Sequence, residues 1–166
     1  KEIITGGSAF NIKAKSLRMG KFSREESDTL LTQHEQETGQ PFTPEAKQLI
    51  WHYSEGQPWL VNAMAYGVTF DLKPYRDRTR PIDAEAVEQV KQQLILDRVT
   101  HLEQLTDKLA EPRVRRVIEP LLSGDTEPEQ LPIDDVQYCE DLGLITTHGQ
   151  LRIANALYQE VIPREL

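Results

Sequence analysis

The feature that most constrains this chain is its punctuation. Glycine and proline sit at the joints of a run of apolar residues spaced three and four apart, and each joint carries the residue type that a helix end needs. Gly56-Gln57-Pro58 is the sharpest case. A glycine adopts the left-handed turn that closes one helix, and a proline two residues on loses only an amide that would have had no partner in a first turn. Thr43-Pro44 repeats the start signal, and Ser23 with Glu26 three residues later forms a reciprocal capping box. These marks predict helices over about Arg24–Thr38, Pro44–Glu55 and from Pro58 onward. Ala46, Leu49, Ile50 and Tyr53, then Leu60, Val61, Met64, Ala65 and Val68, lie on their buried faces.

The stretch Lys73–Pro81 holds two prolines and Arg76, Arg78 and Arg80, and reads as an exposed connection. Asp83 caps a long helix carrying Val87, Val90 and Leu94, with a bend expected near Asp97–Thr100 before Leu102, Leu105 and Leu109 resume the pattern. Pro112 opens a further helix with Val114, Val117, Ile118, Leu121 and Leu122, and a polar loop over Gly124–Pro132 precedes a short helix over Asp134–Leu142. After Gly143 the period changes to two. Leu144–Thr147 and Gln150–Ile153 flank His148-Gly149 as a hairpin, and Asn155 caps a last helix with Leu157, Val161 and Ile162. Helix, helix, helix, hairpin is the order of a winged helix-turn-helix. The expected fold class is mainly α: a helical bundle followed by a winged helix-turn-helix with a small β-hairpin.

Composition narrows the function. The net charge of −8 opposes nonspecific wrapping of nucleic acid, which needs clustered Lys and Arg. The single Cys139 can form no intramolecular disulfide, and a reducing, cytoplasmic setting is expected. No apolar run approaches the roughly 20 residues of a membrane span, and no leader pattern opens the chain. Its start at Lys1-Glu2-Ile3-Ile4, without Met, fits a longer parent.

Candidate chemistry is sparse. Gly56-Gln57-Pro58 puts the amides of Trp59 and Leu60 at a positive helix end and offers a rigid proline ring to a base. A plain helix-helix turn uses the same residues for the same backbone reasons. His34, His52, His101 and His148 show no metal-ligand spacing, so no metal site is expected, and no residue is assigned a catalytic role. Cys139 falls on an apolar face with Val136 and Leu142, as a structural thiol does. Arg113, Arg115 and Arg116, like Arg76, Arg78 and Arg80, read as solvated charge; an arginine reaching a phosphate is the sharper alternative. No Gly-x-x-x-x-Gly-Lys-Ser/Thr occurs, and Gly6-Gly7-Ser8 lacks the lysine and following helix of a phosphate loop.

Phe42-Thr43-Pro44-Glu45-Ala46, followed by Glu55-Gly56-Gln57-Pro58-Trp59-Leu60-Val61-Asn62, resembles the lid helices of the signal-transduction (STAND-like) branch of AAA-type P-loop ATPases. Gly7–Ile12 and Ser16–Met19 resemble the end of that ATPase core. Tyr138–Ile145 with Ile153–Tyr158 is similar to the winged helix that follows the lid in bacterial and archaeal members. The resemblance implies three parts: 1–22 as the end of the ATPase core, 23–98 as a helical lid and 99–166 as a winged helix. It implies that Gly56, Gln57 and Pro58 face nucleotide, that ATP and Mg belong to the parent and not to this chain, and that the partners are the missing N-terminal core together with another protein or subunit.

Two rival functions stay open: a winged helix that binds DNA, and a freestanding protein-interaction adaptor. Against DNA, the third helix is rich in Asp134, Asp135, Gln137, Glu140 and Asp141, and His101–Leu166 holds six basic against thirteen acidic residues. If Ser16–Met19 is the last strand of a parent sheet, Lys1–Met19 should lie on the lid or on another copy of the chain.

Overall fold

The computed structural model describes residues 20–96, 106–124 and 130–166. The expectations for Lys1–Met19, the bend at Asp97–Thr100, Leu102, Leu105 and His101 lie outside the described residues. The described chain is mainly helical, with one small antiparallel sheet of two strands.

Helix α1 (Arg24–Thr38) begins at the expected capping box. The Glu26 amide donates to Ser23 Oγ at 3.1 Å, and the Ser23 amide donates to Glu26 Oε2 at 2.7 Å. It ends at Gly39, left-handed with φ 75°. Helix α2 (Pro44–Ser54) takes its cap from Thr43, whose hydroxyl accepts from the Ala46 amide. Helix α3 (Pro58–Tyr66) passes without a break into a π-helical turn (Gly67–Asp71) and then a 3-10 turn (Lys73–Arg76). Helix α4 (Ala84–Leu96) starts where Asp83 Oδ1 accepts from the Ala86 amide. A parallel bridge between Phe42 and Ile82 ties the entries of α2 and α4 together, so the two helices set out from one point and pack along their lengths.

The connection Lys73–Pro81 is more than an exposed link. Leu72 and Tyr75 are buried, and Gln40, itself buried at the start of the α1–α2 turn, donates through Nε2 to the carbonyls of Tyr75 and Arg80 at 2.8 and 2.9 Å. Gln40 Oε1 accepts from Arg78 at 2.8 Å and pairs with His34. A buried polar group is tolerated when its hydrogen bonds are all taken up, and one glutamine here satisfies two carbonyls of a segment whose own regular structure is the short 3-10 turn Lys73–Arg76.

The C-terminal half contains α5 (Pro112–Ser123), α6 (Ile133–Asp141), β1 (Ile145–Thr146), β2 (Arg152–Ile153) and α7 (Ala156–Glu165). Ile145 pairs with Ile153 and Thr146 with Arg152, so both isoleucines face the core and the polar pair faces out. The ladder is shorter than the alternating pattern suggests. Glu140 captures both the amide and the hydroxyl of Thr147, which removes that residue from the strand. The buried apolar residues of the two halves belong to one continuous core.

Candidate functional site

The α2–α3 corner is built by two successive left-handed residues. Glu55 has φ 43° and ψ 39°, a conformation that costs a residue with a Cβ about 1–2 kcal/mol, and Gly56 follows at φ 75°. Its own chain supplies part of the support: the Gly56 amide donates to Ser54 Oγ and the Gln57 amide to the Ser54 carbonyl. The entering chain supplies more, because the Phe22 amide donates to the Gly56 carbonyl at 2.8 Å. Any side chain at position 56 would overlap the Phe22 carbonyl oxygen and crowd Trp51, so only glycine fits.

The remaining support comes from about a hundred residues away. Gln57 Oε1 accepts from Asn155 Nδ2 at 2.7 Å, and Gln57 Nε2 donates to the Tyr158 hydroxyl at 3.2 Å. Arg152 reaches Glu55 with two parallel bonds, Nη1 to Oε1 at 2.9 Å and Nη2 to Oε2 at 2.7 Å, the fork geometry that suits a guanidinium and a carboxylate. Lys21 Nζ donates to the Ala154 carbonyl at 3.2 Å. Asn155 therefore has two functions: Nδ2 reaches across to Gln57, while Oδ1 caps α7 by accepting from the Tyr158 amide.

Electrostatics follow from this geometry. Burial pushes the Tyr158 hydroxyl above the ordinary tyrosine range, against the hydrogen bonds it takes from Trp59 and Gln57. The hydrogen bond to Glu55 raises the Arg152 guanidinium still further. Partial burial lowers Lys21, which Glu55 opposes. A second ionic tie joins the halves where Lys91 of α4 meets Glu160 of α7 at 3.1 Å and Glu88 at 3.3 Å.

Of the residues the sequence singles out, Gly56 is buried and Gln57 and Pro58 are half-buried. The Leu60 amide, expected to be free at the helix end, donates to the Gln57 carbonyl at 3.0 Å. The arginines are largely committed elsewhere. Arg78 is half-buried on Gln40 and the Thr69 carbonyl, with its guanidinium 5.0 Å from the Phe70 ring, and so departs from the solvated reading. Arg113 and Arg116 both reach Asp135, and Arg115 pairs with Glu119. Asp135 is correspondingly buried beneath α5 and does not join the acidic outer face of α6. Cys139 is fully buried, and burial pushes its thiol up to about 11, far from nucleophilic use.

The halves' contacts through Arg152, Asn155 and Tyr158 carry no local signal, because nothing in the sequence near Gln57 points to a partner 98 residues on. An open cleft of about 290 Å³ also lies between α1 and α3, lined by Leu31, His34, Phe42, Tyr66 and Phe70. Tyr66 and Phe70 stack at its rim, and both are exposed. Among the described residues no group of three or more His, Cys, Asp or Glu is placed to hold a metal ion, and no helix is long and apolar enough to cross a membrane. The chain matches none of the protein families compared with it, and no curated protein matches it either.

Proposed function

We propose that this chain is a non-catalytic part of a P-loop ATPase, a lid that closes over nucleotide followed by a winged helix that relays nucleotide state to a partner. The observation that supports this reading most is the corner. Gly56, Gln57 and Pro58 form a rigid, glycine-dependent turn joined by side-chain hydrogen bonds to Asn155 and Tyr158 of the last helix. A lid that signals needs such a direct path from its nucleotide face to the following module. With Gln57 engaged by the C-terminal half, the half-buried Pro58 ring is the group of the corner suited to a base, while phosphate and magnesium ligands would come from the parent core.

Two measurements test the reading. The coding sequence upstream of Lys1 should encode a Gly-x-x-x-x-Gly-Lys-Ser/Thr loop after an apolar strand; a start codon directly before Lys1 returns the chain to the freestanding adaptor reading. In the full-length protein, Pro58→Ala should weaken nucleotide binding by about 1 kcal/mol while the lid stays folded, because alanine is also accepted at a first helical position. Unchanged affinity in a folded variant would leave the corner as a plain helix-helix turn.

A further inference from the structure

We infer that Gln57 is a positioning residue that welds the α2–α3 corner to the C-terminal half, so that the two halves open and move as one body. The amide of Gln57 is the only side chain of the Gly56-Gln57-Pro58 corner that both donates and accepts, and it does both across the interface, to Tyr158 and from Asn155. Its neighbours on both sides reinforce the join: Glu55 is held by both nitrogens of the Arg152 fork, and Trp59 stacks on Tyr158 with ring centroids 6.5 Å apart. Gly143, at the entry to the hairpin, lies close enough to Gln57 that a Cβ there would meet its Nε2 at 3.4 Å. The corner backbone is held in addition at Gly56, whose carbonyl accepts from the Phe22 amide at 2.8 Å.

A displacement of the corner must therefore either carry Asn155 and the start of α7 with it or break the half-buried hydrogen bonds of Gln57. The second course leaves Asn155 Nδ2, on a fully buried residue, without its acceptor. The meaning of this join for nucleotide signalling rests on the proposed function; the join itself does not.

Native-state hydrogen exchange on the whole chain, without nucleotide, tests the inference. In the wild type, the slowest amides of α2 and α3 and those of α7 should exchange through a common opening with equal protection. Gln57→Met, similar in size but unable to make either hydrogen bond, should lower protection of the Ala154, Tyr158 and Gln159 amides about tenfold. Asn155→Ser keeps a good helix cap and removes the same bond from the other side. The double variant should then lose no more protection than Gln57→Met, because both substitutions delete one shared contact.

Independent exchange of the C-terminal half in the wild type, unchanged protection in Gln57→Met, or losses that multiply in the double variant would each overturn the inference. If Gln57→Met does not fold, the wild-type comparison and Asn155→Ser decide it. Nucleotide plays no part in these measurements, so their failure leaves the proposed function standing, and failure of the Pro58 test leaves the join standing.

Discussion

Gly56 and Gly39 share the same left-handed φ and have opposite surroundings. Both sit at φ 75°, yet a Cβ at Gly39 meets nothing within 4 Å, whereas one at Gly56 collides with the Phe22 carbonyl and crowds Trp51. Gly39→Ala should cost about 1–2 kcal/mol, the left-handed penalty alone. Gly56→Ala adds displacement of the chain at Phe22 and loss of its hydrogen bond, and should cost about 3 kcal/mol or more. Urea denaturation of the two variants measures the difference, and equal losses would show that the corner relaxes freely. The need for glycine at both positions is legible in the sequence, since both follow the last residue of a periodic helix. The difference between them is not, because Phe22 reaches the corner from more than thirty residues away.

At the scale of elements, Tyr75 and Gly67 decide how the α3–α4 segment folds back. Burial, with Asp83 accepting the phenol's hydrogen bond, pushes the Tyr75 hydroxyl up to about 12 from its ordinary 10.0. The folded state thus keeps a proton that the unfolded state releases above pH 10. The resulting stabilisation is complete below pH 10 and is lost as the pH rises through 12. Alkaline unfolding followed by tyrosinate absorbance should move to higher pH in Tyr75→Phe, after allowing for its stability at neutral pH, because that slope disappears.

Gly67 opens the π-turn where α3 crosses α4, and a Cβ there would approach Val90 Cγ1 to 2.5 Å. Gly67→Ala should cost about 1–3 kcal/mol by overpacking, and adding Val90→Ala should recover part of that loss. A thermal melt of the three variants checks it, and an additive double variant would place the strain elsewhere. The glycine was silent in the sequence: it sits mid-pattern with no turn partner, and its reason is a helix crossing.

For the whole molecule, charge sets what the surface can bind. Arg113 and Arg116 are drawn onto the buried Asp135, and Arg115 onto Glu119, which leaves the outer face of α6 to Asp134, Gln137 and Asp141. Duplex DNA should show no binding at physiological salt, and a salt-dependent shift with random-sequence DNA at low micromolar protein would restore the DNA-binding reading. Arg113→Ala with Arg116→Ala should leave that result unchanged while destabilising the α5–α6 contact, since a buried carboxylate would lose both its cations.

What the sequence determined by itself was local: which segments become helices, where their caps fall, the hairpin turn, and most of the inward faces. Those follow from caps, φ preferences and periodicity within a few residues, as Ser23 with Glu26, Thr43-Pro44, Asn155 and the paired Ile145 and Ile153 illustrate. The tertiary structure decided the partners. Gln40 organising the 73–81 segment, Asp135 drawn beneath α5, and Gln57 tied to Asn155 and Tyr158 all join polar groups far apart in the chain. A polar side chain carries no periodic signal of its partner. Its burial becomes favourable only once the apolar faces have packed and brought the complementary donor or acceptor within reach.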